Sequence, residues 1–327
     1  MKKNLSFLLF LCFIFFISCK QVKTADSFTA MNTFMTVTTY SSSNKKGKEA
    51  CTAVQKKIDS LEHMLSTTLN TSDVYKINHR LDYDFSNQEL KEVLEFAREM
   101  YKKTQGAFNP SLYPIIREWG FTTEQYQVPS DERISFLLQR TDFSKADYSP
   151  LPEGMELDFG AIGKGYAGDM AVEVLKANGI KNAILDLGGN IQTLGTKPDG
   201  SMWKVGIRNP WGEGAACALK IESCAVVTSG GYERYFDDEE GNRWIHIFDP
   251  KTGRPSTSDI ESVTIVSSSG KYADALSTAL FVMGSKKAMD FWKQNRDFEM
   301  IILTKDKKLI YTDGLNGRIE ALINFSK

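Results

Sequence analysis

Histidine and cysteine are scarce in this chain of 327 residues, at three and five copies. His63, His79 and His246 are scattered, and neither a C-x-x-C nor a His pair at ligand spacing occurs, which argues against a zinc site. Beyond Cys12 and Cys19 only Cys51, Cys217 and Cys224 remain, too few for a disulfide framework. Cys217 and Cys224 could bridge, but cysteines beside apolar strand residues are more often buried thiols. A charge excess is also missing: 40 Lys and Arg stand against 41 Asp and Glu. That balance points to neither a nucleic-acid surface nor a basic membrane patch. No repeat, heptad or low-complexity tract appears.

Two well-known phosphate motifs are absent. A P-loop requires Gly, four residues, then Gly-Lys-Ser/Thr. Here Asp158 stands five before Gly163, and Gly165 follows Lys164 where a hydroxyl belongs. The spacing of Gly160, Gly163 and Gly165 does not supply a G-x-G-x-x-G either.

What is present is Leu157–Ile191. Asp158 leads into a Gly-rich turn, and Lys164 opens an amphipathic helix that stops at Gly179. The apolar run Ala183–Leu187 then ends at Gly188-Gly189. An acid, free amides at a helix start and a buried strand end make a cradle for a phosphate and its cation. On these features alone an ordinary helix–strand unit explains the segment as well.

Lys2 and Lys3 precede the thirteen-residue apolar run Leu5–Ile17, then Ser18-Cys19-Lys20. The run is short for a membrane span and suits a signal-peptide core. A small residue before Cys19 resembles a bacterial lipobox, with Phe16 where leucine is usual. Residues 1–18 are read as a lipoprotein signal, Cys19 as the lipidated residue and 19–29 as a flexible tether. A plain secretory signal or an uncleaved anchor is the alternative. Removing residues 1–18 takes away two lysines and no acid, leaving a net charge of −3.

Beyond the tether, residues 30–327 read as one large domain of two intimate subdomains joined near 121–152. Ala30–Ser41 reads as a strand. Helical periodicity runs through Lys45–Leu65 and through Asn87–Thr104, with Gly106 beyond the end of the latter. Ser130–Arg140 reads as a short helix. Strands are expected at Trp203–Ile207, Ala218–Ile221, Ala225–Thr228, Arg243–Phe248 and Ser262–Val266. The helix Tyr272–Met283 and a further helix follow, then strands Met300–Thr304 and Leu309–Thr312. Without regular βαβ alternation, the class is α+β, with mixed or antiparallel sheets flanked by helices.

Nine segments, in order, resemble one family, the ApbE-like flavin transferases (FAD:protein FMN transferases). They are Met31–Thr33, Ser66–Asn78, Gly106–Pro110 (GAFNP), Asp158–Asp169 (DFGAIGKGYAGD), Asp186–Asn190 (DLGGN), Trp203–Pro210, Thr228–Phe236 (TSGGYERYF), His246–Pro255 (HIFDPKTGRP) and Ala273–Ala279 (ADALSTA). The resemblance implies a T-fold-related architecture with an FAD site between two halves. It also implies an exported, lipid-anchored, magnesium-dependent enzyme. Such an enzyme moves the FMN half of FAD onto a threonine of a membrane redox protein and releases AMP. Acceptors are typically subunits of sodium-pumping (Nqr) or Rnf-type electron-transport complexes.

By the same resemblance, magnesium falls on the Ala161 carbonyl, Asp274 and Thr278, with Ser277 where some members carry another carboxylate. Asp274 and Thr278 share a face if their segment is helical. FAD contacts fall on Met31, Thr68, Ala107, Phe108, Asn109, Asp158, Lys164 and Phe248. Three departures stand out: Asn109 for a common aspartate, Asn32 for a common glycine, and Thr68 for an aromatic lid. His246 is the candidate base, with Asp274 or a magnesium-bound water as competitor. The same residues would serve an FAD pyrophosphatase, and a non-enzymatic flavin-binding lipoprotein is the remaining alternative.

Overall fold

The computed structural model describes residues 21–83, 85–146 and 150–326. In chain order the elements are β1 (Val22–Ala30), β2 (Thr33–Ser41), α1 (Asn44–Leu65), α2 (Asp73–Asn78), α3 (Gln88–Lys103), α4 (Tyr113–Glu118), α5 (Asp131–Leu138) and α6 (Gly160–Ala177). Strands dominate next: β3 (Asn182–Leu187), β4 (Asn190–Leu194), β5 (Trp203–Arg208), β6 (Ala215–Ile221), β7 (Ala225–Gly230), β8 (Tyr235–Asp237), β9 (Arg243–Ile245), β10 (Phe248–Asp249), β11 (Arg254–Pro255) and β12 (Ile260–Ser267). Helices α7 (Gly270–Met283) and α8 (Ser285–Gln294) precede β13 (Glu299–Thr304), β14 (Leu309–Tyr311) and β15 (Ile319–Ala321).

Eight strands form one sheet in the order β1-β2-β3-β4-β7-β12-β13-β14, and every neighbouring pair is antiparallel. The class is therefore α+β, as expected. Period-two alternation sets the layers. Ala183, Leu185, Leu187, Val227 and Ile265 share one core with α1, α6 and α7. Ile184, Ile191, Val226 and Ile301 point the other way, onto the three-stranded sheet β15-β6-β5 with Trp203, Ile207 and Leu219.

A third cluster joins Leu112, Ile115, Trp119, Phe121, Ile134, Leu137 and Phe248. It draws on α4, α5 and β10, so segments more than a hundred residues apart share one core. Phe121, Ile134 and Leu137, from the stretch 121–152, supply part of that core.

The tether expectation needs correction. Val22–Ala30 is not flexible but an edge strand paired along its length with β2. Only Thr24, Phe28 and Ala30 of it are buried, so its sequence reads as polar. The expected strand from Ala30 begins inside the hairpin turn, where Met31 (φ 49°) and Asn32 (φ 57°) adopt left-handed backbone. The expected strand 243–248 breaks at His246 into β9 and β10. Among the described residues no helix is long and apolar enough to cross a membrane. Residues 1–20, with Cys19, lie outside the described residues.

Candidate active site

Helices α6 and α7 touch backbone to backbone. A Cβ on Gly165 would fall 2.2 Å from the Gly270 carbonyl oxygen and 2.7 Å from the Asp274 Cβ. Only glycine permits so close an approach. Asp169 meets Gly270 while Gly165 meets Asp274, so the helices run antiparallel along this seam.

At the Asp274 end the carboxylate is 6% exposed and accepts the Gly165 amide at 2.8 Å. In a regular helix that amide bonds the carbonyl four residues back, which is Ala161. Carboxylate and carbonyl are thus gathered around one N–H. Burial pushes the Asp274 carboxyl up, while the Lys164 charge, the Gly165 amide and the Asn190 side chain pull it down. Thr278, one turn on, lies 3.4 Å from the Ser229 hydroxyl of β7. Ser277 does not join them: its hydroxyl donates to the Asp274 carbonyl (2.8 Å) and meets Ser229 (2.8 Å), fully buried. In this arrangement it is a helix-to-sheet contact.

Asp158 starts α6. Its Oδ1 accepts the Gly160 amide at 2.5 Å, and its own amide donates to the Pro110 carbonyl at 2.8 Å. The preceding Leu157 is held at both backbone groups by the buried Asn78 amide, at 2.7 and 2.9 Å. Three of the nine segments therefore serve to pin one carboxylate. Desolvation raises the Asp158 carboxyl, opposed by the Gly160 amide and by Arg234.

His246 sits in the break between β9 and β10. Its Nδ1 lies 3.0 Å from the Arg234 carbonyl, a bond that requires the proton on Nδ1 and leaves the Nε2 lone pair available. Burial, and then the Arg234 and Lys164 charges, push the imidazole down to about 4. It is neutral at pH 7 and competent to accept. Arg234, which the sequence reading left without a role, donates from its guanidinium to the Phe121 carbonyl, and its charge acts on both His246 and Asp158. Its only sequence signal was a basic residue inside a matched segment.

The remaining candidates divide. Ala107 and Asn109 line a cleft of about 530 Å³ together with Thr104, Asp142, Lys251 and Met283. Asn109 precedes Pro110, so this cleft adjoins Asp158. The Asn109 amide is occupied internally: Nδ2 donates to the Thr141 carbonyl (2.8 Å) and Oδ1 accepts from Ser111. An aspartate would set a carboxylate against that carbonyl. Phe108 is buried in the main core, and the Phe248 ring packs edge-on against Trp119 and Phe121 at 5.8 and 5.7 Å. Both rings are packed as core groups. Thr68 is exposed in the turn after α1. Met31 tips the β1–β2 hairpin beside the β3–β4 turn, where a Cβ on Gly188 would strike Thr33 at 2.1 Å. Cys51, Cys217 and Cys224 are free.

Among the described residues no group of three or more His, Cys, Asp or Glu side chains could hold a metal. A cation at the seam would rest on one carboxylate, one hydroxyl and one carbonyl.

Fold and site define an antiparallel α+β protein whose acidic centre lies on a glycine-tight helix seam. The profile of the ApbE family matches residues 31–302. The FAD:protein FMN transferase of Treponema pallidum is 34% identical over 258 residues, covering 72% of this chain and 71% of that protein. That of Klebsiella pneumoniae is 31% identical over 272 residues, covering 80% and 84%. The ApbE protein of Thermotoga maritima superposes with a TM-score of 0.83 at 28% identity, covering 91% of this chain and 99% of that one. The chain belongs to the ApbE family.

Proposed function

We propose that this protein moves the FMN half of FAD onto a threonine hydroxyl of an exported or membrane redox protein and releases AMP. The observation that carries the reading is the buried, under-compensated Asp274 beside Thr278 and the Ala161 carbonyl, with a neutral His246 across Lys164. Its curated relatives carry the transferase name.

The three oxygen donors fit magnesium, which favours hard oxygen ligands and completes its shell with water and phosphate. The fit rests on a buried carboxylate whose carboxyl stays raised despite the Gly165 amide and the Asn190 side chain, a state a cation relieves. Bound there, magnesium would neutralise charge on the two phosphates. The chain supplies the rest. Lys164 and Arg234 face the phosphates, and Asp158 accepts from ring or ribose donors. The acceptor hydroxyl oxygen bonds the FMN phosphorus as the phosphorus–oxygen bond to AMP breaks, and His246 Nε2 takes the hydroxyl proton. Flavin and adenine extend between the Met31 tip and the cleft at Ala107. A lipid on Cys19 would keep the protein beside membrane acceptors of Nqr or Rnf type.

The test is mass spectrometry of a threonine acceptor incubated with protein, FAD and magnesium. A gain of one FMN with stoichiometric AMP supports transfer. Free FMN with an unmodified acceptor indicates a pyrophosphatase, and no AMP indicates a binding protein.

A further inference from the structure

Lysines from three separate segments meet at one end of the molecule, although the overall charge is near neutral. Lys23 opens β1, Lys45 and Lys48 lie in the first turns of α1, and Lys181 precedes β3; all four are exposed. Their proximity is fixed by contacts. Gln21 bonds Asn182 (3.0 Å), Tyr40 pairs with both Lys23 and Asn182, and Lys46 reaches the Gly179 carbonyl (3.2 Å). The first turn of α1 carries no acid. Glu49 lies 3.9 Å from Lys45 on the same helix.

The chain enters the fold at this end. β1 starts at Val22, three residues after Cys19, a reach of about 10 Å fully extended. A lipid on Cys19 would therefore leave no slack: the fold must rest on the bilayer, and this face is the one nearest. The site lies toward the opposite end. Met31 closes the far tip of β1, nine residues on, or about 30 Å away.

We propose that the face carrying Lys23, Lys45, Lys48 and Lys181 lies on an anionic lipid surface. It holds the seam of α6 and α7 outward, about 15–20 Å from the lysine face, since Asp169 and Gly165 precede Gly179 by ten and fourteen helical residues. The inference rests on the lipid-tether reading above. The acyl chains supply attachment and the lysines supply orientation, each adding about fivefold to affinity for an anionic surface. The acceptor threonine must then be presented on a part of its protein that stands clear of the membrane.

The full lipidated protein is reconstituted in phosphatidylcholine vesicles with or without one third phosphatidylglycerol, and lysine acylation is read by mass spectrometry. We expect Lys23, Lys45, Lys48 and Lys181 to be acylated at least about fivefold more slowly with phosphatidylglycerol, while the exposed Lys286 and Lys287 on α8 are unchanged. High salt should remove the protection. The triple variant Lys45→Glu, Lys48→Glu, Lys181→Glu should still float with vesicles and release AMP from FAD at the normal rate, yet show no protection at Lys23. Equal acylation in both vesicle types, on protein that floats, overturns the orientation alone. Protein that does not float overturns the tether reading and this inference with it.

Discussion

The two ends of the α6–α7 seam hold one aspartate each, and the two are used in opposite ways. Asp169 accepts from the Gly270 amide (2.5 Å), the Lys271 amide (3.0 Å), the Ser269 hydroxyl (3.1 Å) and the Gln192 amide (3.2 Å). It closes the amino end of α7 and has no capacity left. Asp274, five residues into α7, accepts the Gly165 amide and is approached by the Asn190 side chain and the Lys164 charge, yet burial still holds its carboxyl up. Saturated acids anchor; under-compensated ones are available to a ligand. The same residue type, on the same pair of helices, is sorted by counting its donors.

The largest test of that contrast is Asp274→Asn. FAD turnover should fall about 10³-fold, the scale of losing a main charge-stabilising group, as measured by AMP release. The apoprotein should melt no lower than wild type. A raised carboxyl keeps a proton the unfolded chain has lost, so ionising it weakens the fold as pH rises, and an amide removes that penalty. Magnesium should raise the melting temperature of wild type only. A full-rate variant would end the assignment.

His246→Asn comes next, with turnover lowered about 10²-fold while FAD binding is retained. Its imidazole sits near 4 in the fold against an ordinary 6.5. The unfolded chain therefore takes the proton first as pH falls, and stability is lost between about 6.5 and 4. Urea unfolding at pH 7 and pH 5 should show a smaller difference in the variant.

Asp169→Asn should reverse the pattern. Stability drops by about 1–3 kcal/mol through donors left unpaired at the start of α7, read by urea unfolding, with catalysis largely kept. If this variant loses AMP release at unchanged stability, the two ends are not divided as described. Ser277→Ala is the mildest, about 1 kcal/mol of stability with turnover and magnesium dependence retained. A loss of magnesium response there would restore Ser277 as a ligand.

Much of this was legible beforehand, and the failures have physical causes. Helices α1 and α3 announce themselves through Val54, Ile58, Leu61 and through Leu90, Val93, Leu94, because one apolar stripe faces one core. The spacing of Asp274 and Thr278 put both on one face of α7, while their pairing at a cation came only from the family resemblance. β1 was not, since an edge strand with three inward residues and a glycine-free turn leaves almost no pattern. Phe108, Phe248 and Ser277 lie in matched segments but turn into packing, and sequence position cannot give side-chain direction. Asn78, Asp169 and Arg234 act by contacts across 79, 101 and 12 residues, which no local window contains. The lysine face escaped for the same reason, being assembled from segments that are each unremarkable in charge.

The β1–β2 turn carries a last consequence. Two-residue hairpin loops with positive φ at both positions favour Asn-Gly, yet this one is built from Met31 and Asn32. Holding a methionine there costs about 1–2 kcal/mol that glycine would recover. The Met31 side chain packs back against the main core, so the strained turn sets a soft, polarizable group over the end of the sheet. A glycine swap should therefore relax the turn while uncovering that end of the core.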